Sequence, residues 1–256
     1  MFFLLSHHQV MQTELYKDFS PWFQPLVSPF TKEIKGLEVL ARSNKKLHTE
    51  TVISSMELSG EIIHLTRKML IDTAFFMSKL SHLVPNGFRI GVNVSVADIL
   101  NPDFENDCAS FLRKFSPGKI RLMLELTERH PYPLSVNVFR KLERLKQTGV
   151  ELAIDDFGTG YATHSYVMHF PVDQIKIPGL FVQQLHANEK SEKIIDNIIS
   201  LAREVGAGVI AEGIETETQG VIMASKNVDL LQGYLYSPPV SPEVFVQKYF
   251  TEKEFS

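Results

Sequence analysis

Eight short apolar runs, helix-period segments between them and one connection too short for a helix together predict an α/β protein. The architecture expected is a (β/α)8 TIM-like barrel with one antiparallel strand. The runs cover 22–28, 34–42, 88–95, 121–128, 151–157, 174–177, 208–214 and 230–236, and the helical segments 51–83, 103–115, 134–148, 180–205 and 216–226. Apolar runs of this length separated by helices indicate βαβ units and a parallel sheet. Eight of them within 256 residues favour closure, although strand number alone also fits an open doubly wound sheet. The first two runs are joined only by Pro29-Phe30-Thr31-Lys32-Glu33. A parallel pair needs about a dozen connecting residues, so this pair reads as a hairpin. The first strand then starts at the face where the others end, which places Gln24 there.

No linker, repeat or low-complexity stretch divides the chain, so one domain is expected over 1–256, with a core of about 20–250. The 26 basic residues against 30 acidic ones give a net charge of −4 and no basic stripe, which argues against DNA or RNA as a partner. Cys108 stands alone and calls for no disulfide. The opening Met1-Phe2-Phe3-Leu4-Leu5 has no basic residue before it and stops at Ser6-His7-His8. It is too short for a leader or for a span of about 20 apolar residues. A cytoplasmic protein without a membrane span is the expectation. The apolar residues of 61–83 read as barrel packing, because the polar face of that segment is not strongly basic.

Polar side chains embedded in the apolar runs carry the functional signal: Glu38, Asn93, Glu125, Asp155 with Asp156, Lys176, Glu212 and Gln232. Most lie near the C-terminal end of their strand, where barrels of this kind build their sites. Glu38, Glu125, Asp155, Asp156 and Glu212 would crowd five carboxylates around one mouth. Each like-charge pair at about 4 Å costs roughly 4 kcal/mol at an effective dielectric of 20. Lys176 and Arg42 do not balance five acids, so either several are protonated or cations of higher charge join them. Oxygen ligands without Cys or His suit Mg2+ or Mn2+ better than zinc. Adjacent Asp155 and Asp156 invite a pair of ions bridged by one carboxylate, as in phosphodiester hydrolysis.

Read in order, the motifs are Phe23-Gln24-Pro25, Glu38-Val39-Leu40-Ala41-Arg42, Asn93-Val94-Ser95 and Glu125-Leu126-Thr127-Glu128. They continue with Asp155-Asp156-Phe157-Gly158-Thr159-Gly160, Lys176-Ile177, Ala211-Glu212-Gly213-Ile214-Glu215 and Gln232-Gly233-Tyr234. On these residues the chain resembles the EAL-domain phosphodiesterases, which cleave the bacterial second messenger cyclic di-GMP. The resemblance runs from about 23 to 245 and implies a barrel with one antiparallel strand. It also implies hydrolysis to linear pGpG with Mg2+ or Mn2+, two ions per site. By the same resemblance, Glu38, Asn93, Glu125 and Asp155 hold the first ion, and Asp155 and Asp156 reach the second. Lys176 and Glu212 orient or deprotonate the attacking water; two cations beside Lys176 would disfavour its ammonium form. Gln24 and Arg42 contact substrate, Gln232 hydrogen-bonds water or substrate, and Glu128 and Glu215 support the ligands, Glu128 by anchoring the loop after Asp156. That loop and a helix over about 163–170 form the interface of a homodimer.

Two departures stand out. Val39 occupies the place where the family has alanine, on the side of the strand away from Glu38. Pro178-Gly179 follows Lys176-Ile177 where an aspartate is expected, removing a carboxylate and a backbone N–H at that strand end. The rival reading is a weak or inactive domain of the same fold that binds cyclic di-GMP or a protein partner. Asp156-Phe157-Gly158 matches a kinase tripeptide, but the Gly-rich loop, strand lysine and catalytic loop that a kinase needs are absent from the sequence.

Overall fold

A computed structural model describes residues 14–45, 48–185 and 187–250. The apolar opening and His7-His8 lie outside the described residues. After a 3-10 turn at Leu15–Asp18 come β1 (Phe19–Val27), β2 (Ile34–Ser43), α1 (Thr49–Ser59), α2 (Ile62–Leu80), β3 (Phe88–Val94), α3 (Val96–Leu100), α4 (Phe104–Leu112) and β4 (Ile120–Leu126). Then follow α5 (Val136–Gln147), β5 (Glu151–Ile154), α6 (His164–His169), β6 (Gln174–Ile177), α7 (Gly179–Gln183) and α8 (Glu189–Glu204). The chain closes with β7 (Gly208–Ala211), α9 (Glu217–Ser225), β8 (Leu230–Leu231) and α10 (Pro242–Phe250). The eight strands form a closed barrel in chain order, which decides between the barrel and the open sheet. β1 is the reversed strand, antiparallel to β2 with Gln24 opposite Glu38, and antiparallel to β8 at Val27 and Leu231. No helix among the described residues is long and apolar enough to cross a membrane.

Alternation along the strands sorts side chains onto two faces. Outward residues such as Leu37, Val92, Leu124, Ile154 and Ile175 pack against the helices in the main core. Inward residues form three tiers. At the N-terminal end Glu151 accepts hydrogen bonds from Arg89 Nε and Arg121 Nη1, each at 2.7 Å. Above them Leu26, Met123, Ala153, Ile210 and Leu230 form an apolar cluster of their own. The third tier, at the C-terminal mouth, holds the polar residues singled out from the sequence.

The structure corrects several boundaries. The helix expected over 51–83 is two helices, because Gly60 takes a left-handed conformation (φ 79°) and ends α1. The one expected over 180–205 is α7 and α8, with Asn188 capping the second through Lys190 N–H. The fifth, seventh and eighth strands are shorter than their apolar runs, so Asp155, Asp156, Glu212 and Gln232 stand just past the strand ends. In β8 the ladder stops early: a side chain at Gly233 would lie 2.1 Å from the carbonyl oxygen of Ile214. The helices α3 and α10 escape the apolar pattern, although the capping box of Ser95 and Asp98 that opens α3 is visible in sequence.

Candidate active site

The ends of β2, β4, β5, β6 and β7 bring four carboxylates to one ammonium group. Lys176 Nζ lies 2.7 Å from Glu212 Oε1, 2.8 Å from Asp155 Oδ1 and 3.5 Å from Glu38 Oε2, and it contacts Glu125 Oε2. Lys176 is 1% exposed and Glu125 0%. Burial of such charges is tolerated only with close partners. Besides Lys176, two side-chain amides brace Glu38. Asn93 Nδ2 donates to its Oε1 at 2.8 Å, and Gln232 Nε2 donates to its Oε2 at 2.6 Å and to Gln24 Oε1 at 3.1 Å. Gln24 Nε2 in turn donates to the Ser237 carbonyl at 3.2 Å. The reversal of β1 is what brings Gln24 to this mouth.

Asp156 stands beside this set on a loop built for it. Its φ is 44°, a left-handed conformation unusual for a residue with a side chain. The next turn is held by Phe157 N–H on the Lys176 carbonyl at 3.1 Å and Gly158 N–H on the Ala162 carbonyl at 2.9 Å. Tyr161 N–H donates to the Glu128 carbonyl at 3.0 Å. A side chain at Gly160 would fall 2.7 Å from that carbonyl oxygen, so glycine is required for the close approach. It is the backbone of Glu128 that ties down the loop.

Charge states follow from this packing. Burial, then the charge of Glu38, holds Glu125 well above the usual carboxylate range. Burial, with Asp155 and Glu38 nearby, pushes Glu212 up to about 8 despite Lys176. Burial, then Asp155 and Glu128, raises Asp156 to about 6. For Glu38 burial acts upward, but Lys176 and the bonds from Gln232 and Asn93 prevail and lower it. The four acids set the charge of Lys176 in turn. Burial alone would lower it, but Asp155, Glu125, Glu212 and Glu38 raise it well above its ordinary value.

The donor set suits a hard divalent cation: carboxylates and one amide oxygen, with Glu125 Oε1 buried and without a hydrogen-bond partner. Among the described residues no three acids or imidazoles already enclose a metal position, since Lys176 is what these carboxylates converge on. An ion would compete with that ammonium for the same oxygens. Glu38, Asn93, Glu125, Asp155 and Asp156 carry the oxygens that could hold it.

Two cavities meet at Glu38 and Asp155. One, of 310 Å3, runs past Arg42, Asn93 and Asp156 to the apolar side chains Ile53, Leu65 and Met69. The other, of 390 Å3, is lined by Gln24, Lys176, Glu212, Gln232, Glu215 and Tyr234. Among the described residues Arg42 donates, through Nη1, to the Ala41 carbonyl at 3.0 Å, leaving other guanidinium N–H groups for an incoming anion. Glu215 sits at the rim, accepting from Gln183 Nε2 at 3.2 Å, and reaches none of the central carboxylates.

Sequence reasoning missed Gly91 and gave Gly213 no role beyond its place in a motif. A side chain at Gly91 would lie 2.0 Å from Glu125 Oε1, so the carboxyl rests over bare backbone. Gly213 (φ 65°) packs its Cα on Gly179, which fixes the chain just after Glu212. A glycine inside an apolar strand, as at 91, was the available signal.

Comparison with known proteins places these features in one group. The family model described as EAL domain matches residues 9–239. The chain is 42% identical over 236 residues to the cyclic di-GMP phosphodiesterase PdeL of Escherichia coli strain K12, covering 91% of this chain and 65% of PdeL. Among solved structures, a PaMucR phosphodiesterase in complex with c-di-GMP superposes with a TM-score of 0.80 at 26% identity, over 90% of this chain and 94% of that one. A manganese and cyclic di-GMP complex of Klebsiella pneumoniae BlrP1 gives 0.69 at 25% identity, over 87% and 56%.

Proposed function

The chain belongs to the EAL-domain family, and on that premise we propose that it is a metal-dependent phosphodiesterase that hydrolyses cyclic di-GMP to linear pGpG. The observation that carries this reading is the convergence of Glu38, Glu125, Asp155 and Glu212 on Lys176, with Asn93 and Gln232 bracing Glu38. The substrate is carried over from the named activity of PdeL and the ligand in the PaMucR complex. The metal is carried over from the manganese in BlrP1, and Mg2+ or Mn2+, two per site, is the proposal.

Glu38, Asn93, Glu125 and Asp155 would hold one ion and Asp155 with Asp156 the other. Bound there, such ions stabilise charge on the phosphoryl oxygens and make water a better nucleophile. The remaining work falls to the chain. Arg42 anchors a phosphate by its paired N–H groups. Gln24 and Gln232 fix the orientation of Glu38 and the edge of the substrate. Glu212 accepts the proton of the attacking water, with Lys176 directing it. Water oxygen bonds to phosphorus, the bond to the 3′ oxygen breaks, and a proton ends on that oxygen. The reading also places the protein in the cytoplasm and pairs two copies through the segment after Asp156, where Tyr161 and Met168 are 52% and 78% exposed.

Incubation with cyclic di-GMP and Mn2+ or Mg2+ should yield pGpG, and Glu38→Ala should abolish turnover while leaving the melting transition cooperative. Undiminished turnover by that variant overturns the assignment. A second reading, binding of the nucleotide or of a protein partner without hydrolysis, is favoured by Pro178, which supplies no carboxylate at the end of β6. Micromolar binding with no pGpG in either metal would select it.

A further inference from the structure

Tyr132, in the loop between β4 and α5, is 3% exposed and makes two bonds that cross between elements of the mouth. Its hydroxyl donates to the Val94 carbonyl at 2.5 Å. Thr127 N–H and Thr127 Oγ1 reach the same carbonyl at 3.4 Å, so among the described residues the tyrosine makes its tightest contact. Val94 follows Asn93, whose amide braces Glu38. The Tyr132 backbone N–H donates to the hydroxyl of Tyr166 at 2.8 Å, and the two rings meet edge to face at 5.7 Å. Tyr166 lies on α6, just after the loop that carries Asp156, and stacks on Phe170 at 5.0 Å.

Two buried hydroxyls thus link α6, through Tyr132, to the end of β3. Apolar packing alone would hold α6 in place; directed bonds fix distance and angle as well. We propose that Tyr132 and Tyr166 are positioning residues, a relay that sets Asn93, and through it Glu38, according to the placement of α6. The proposal rests on the reading of Asn93 and Glu38 as ion ligands.

The test is Mn2+ binding, followed by the loss of free-ion EPR signal, in Tyr132→Phe, Tyr166→Phe and the double variant, with melting temperature and kcat and KM measured alongside. Groups that orient metal ligands typically cost 10–100-fold in affinity when lost. We expect Mn2+ affinity to fall about tenfold in each single variant and no further in the double, since one relay is broken once. Phe170→Leu removes ring stacking but no hydroxyl, and should lower the melting temperature with Mn2+ affinity kept within twofold. Phenylalanine variants that melt lower but bind Mn2+ as the wild type does, or effects that multiply in the double variant, overturn the relay. Wild-type protein that takes up no Mn2+ overturns the metal reading itself, and the relay with it. Should Tyr132→Phe not fold, Tyr166→Phe tests the same link from its other end.

Discussion

Gly91→Ala isolates the geometry of the site in a single methyl group. The new Cβ would stand 2.0 Å from Glu125 Oε1 and 3.2 Å from Met123 Cε. Ordinary contact begins near 3.4 Å, so the carboxyl oxygen must retreat by about 1.4 Å (3.4 − 2.0). Glu125 is fully buried among barrel side chains, and the space behind it is filled by Lys176 and its partners. Overpacking of this kind costs about 1–3 kcal/mol. In a chain of this size that lowers the melting temperature by roughly 2–12 °C. A ligand misplaced by about 1 Å costs on the order of 100-fold in rate. Calorimetry and pGpG release would read both effects. Glu125→Ala vacates the space, so adding Gly91→Ala to that background should cost little further stability, a non-additivity expected of touching residues. A Gly91→Ala enzyme with kcat within threefold of wild type and an unshifted melt would refute this account of Glu125.

Other perturbations address the charges. Glu212 near 8 and Asp156 near 6 lie above their unfolded values, so the folded state holds the extra protons. Stability in EDTA should therefore fall as pH rises from about 4 to 8, and Glu125, also held above its ordinary range, acts in the same direction. Glu38 is shifted the other way, so its contribution is lost only as pH falls below the ordinary carboxylate range. Lys176, raised above its ordinary value, contributes constantly over that window. A melting temperature that climbs with pH in EDTA would contradict the assigned charge states. Mn2+ should raise the melting temperature more at pH 8.5 than at 5.5, because its ligands must be deprotonated; an equal gain at both would count against carboxylate ligation. Arg42→Ala should raise KM for cyclic di-GMP about tenfold or more with kcat changed little, and a loss confined to kcat would exclude a ground-state phosphate contact.

Much of this was written along the chain. Eight apolar runs marked the strands, and five residues between 28 and 34 fixed the reversal of β1. Polar side chains near the C-terminal ends of apolar runs marked Glu38, Asn93, Glu125, Lys176, Glu212 and Gln232, because that end of a barrel strand is where a site is built, whereas Arg89, Arg121 and Glu151 pair with one another at the other end. Strand ends at β5, β7 and β8 were overextended, since the same apolar residues serve the loops that pack over the mouth.

What the chain alone could not decide is which of those side chains meet. A period of two assigns a residue to a face but not to a position around the barrel, and closure brings Gln24 and Gln232, 208 positions apart, into one hydrogen bond. Charge state likewise belongs to the assembled site: Lys176 stays an ammonium because four carboxylates surround it, a fact of distance rather than of residue type. The space over Gly91, the left-handed backbone of Asp156 and the hydroxyls of Tyr132 and Tyr166 are contacts between distant segments. Composition carries no trace of them, because close approach and desolvation exist only once the barrel has closed.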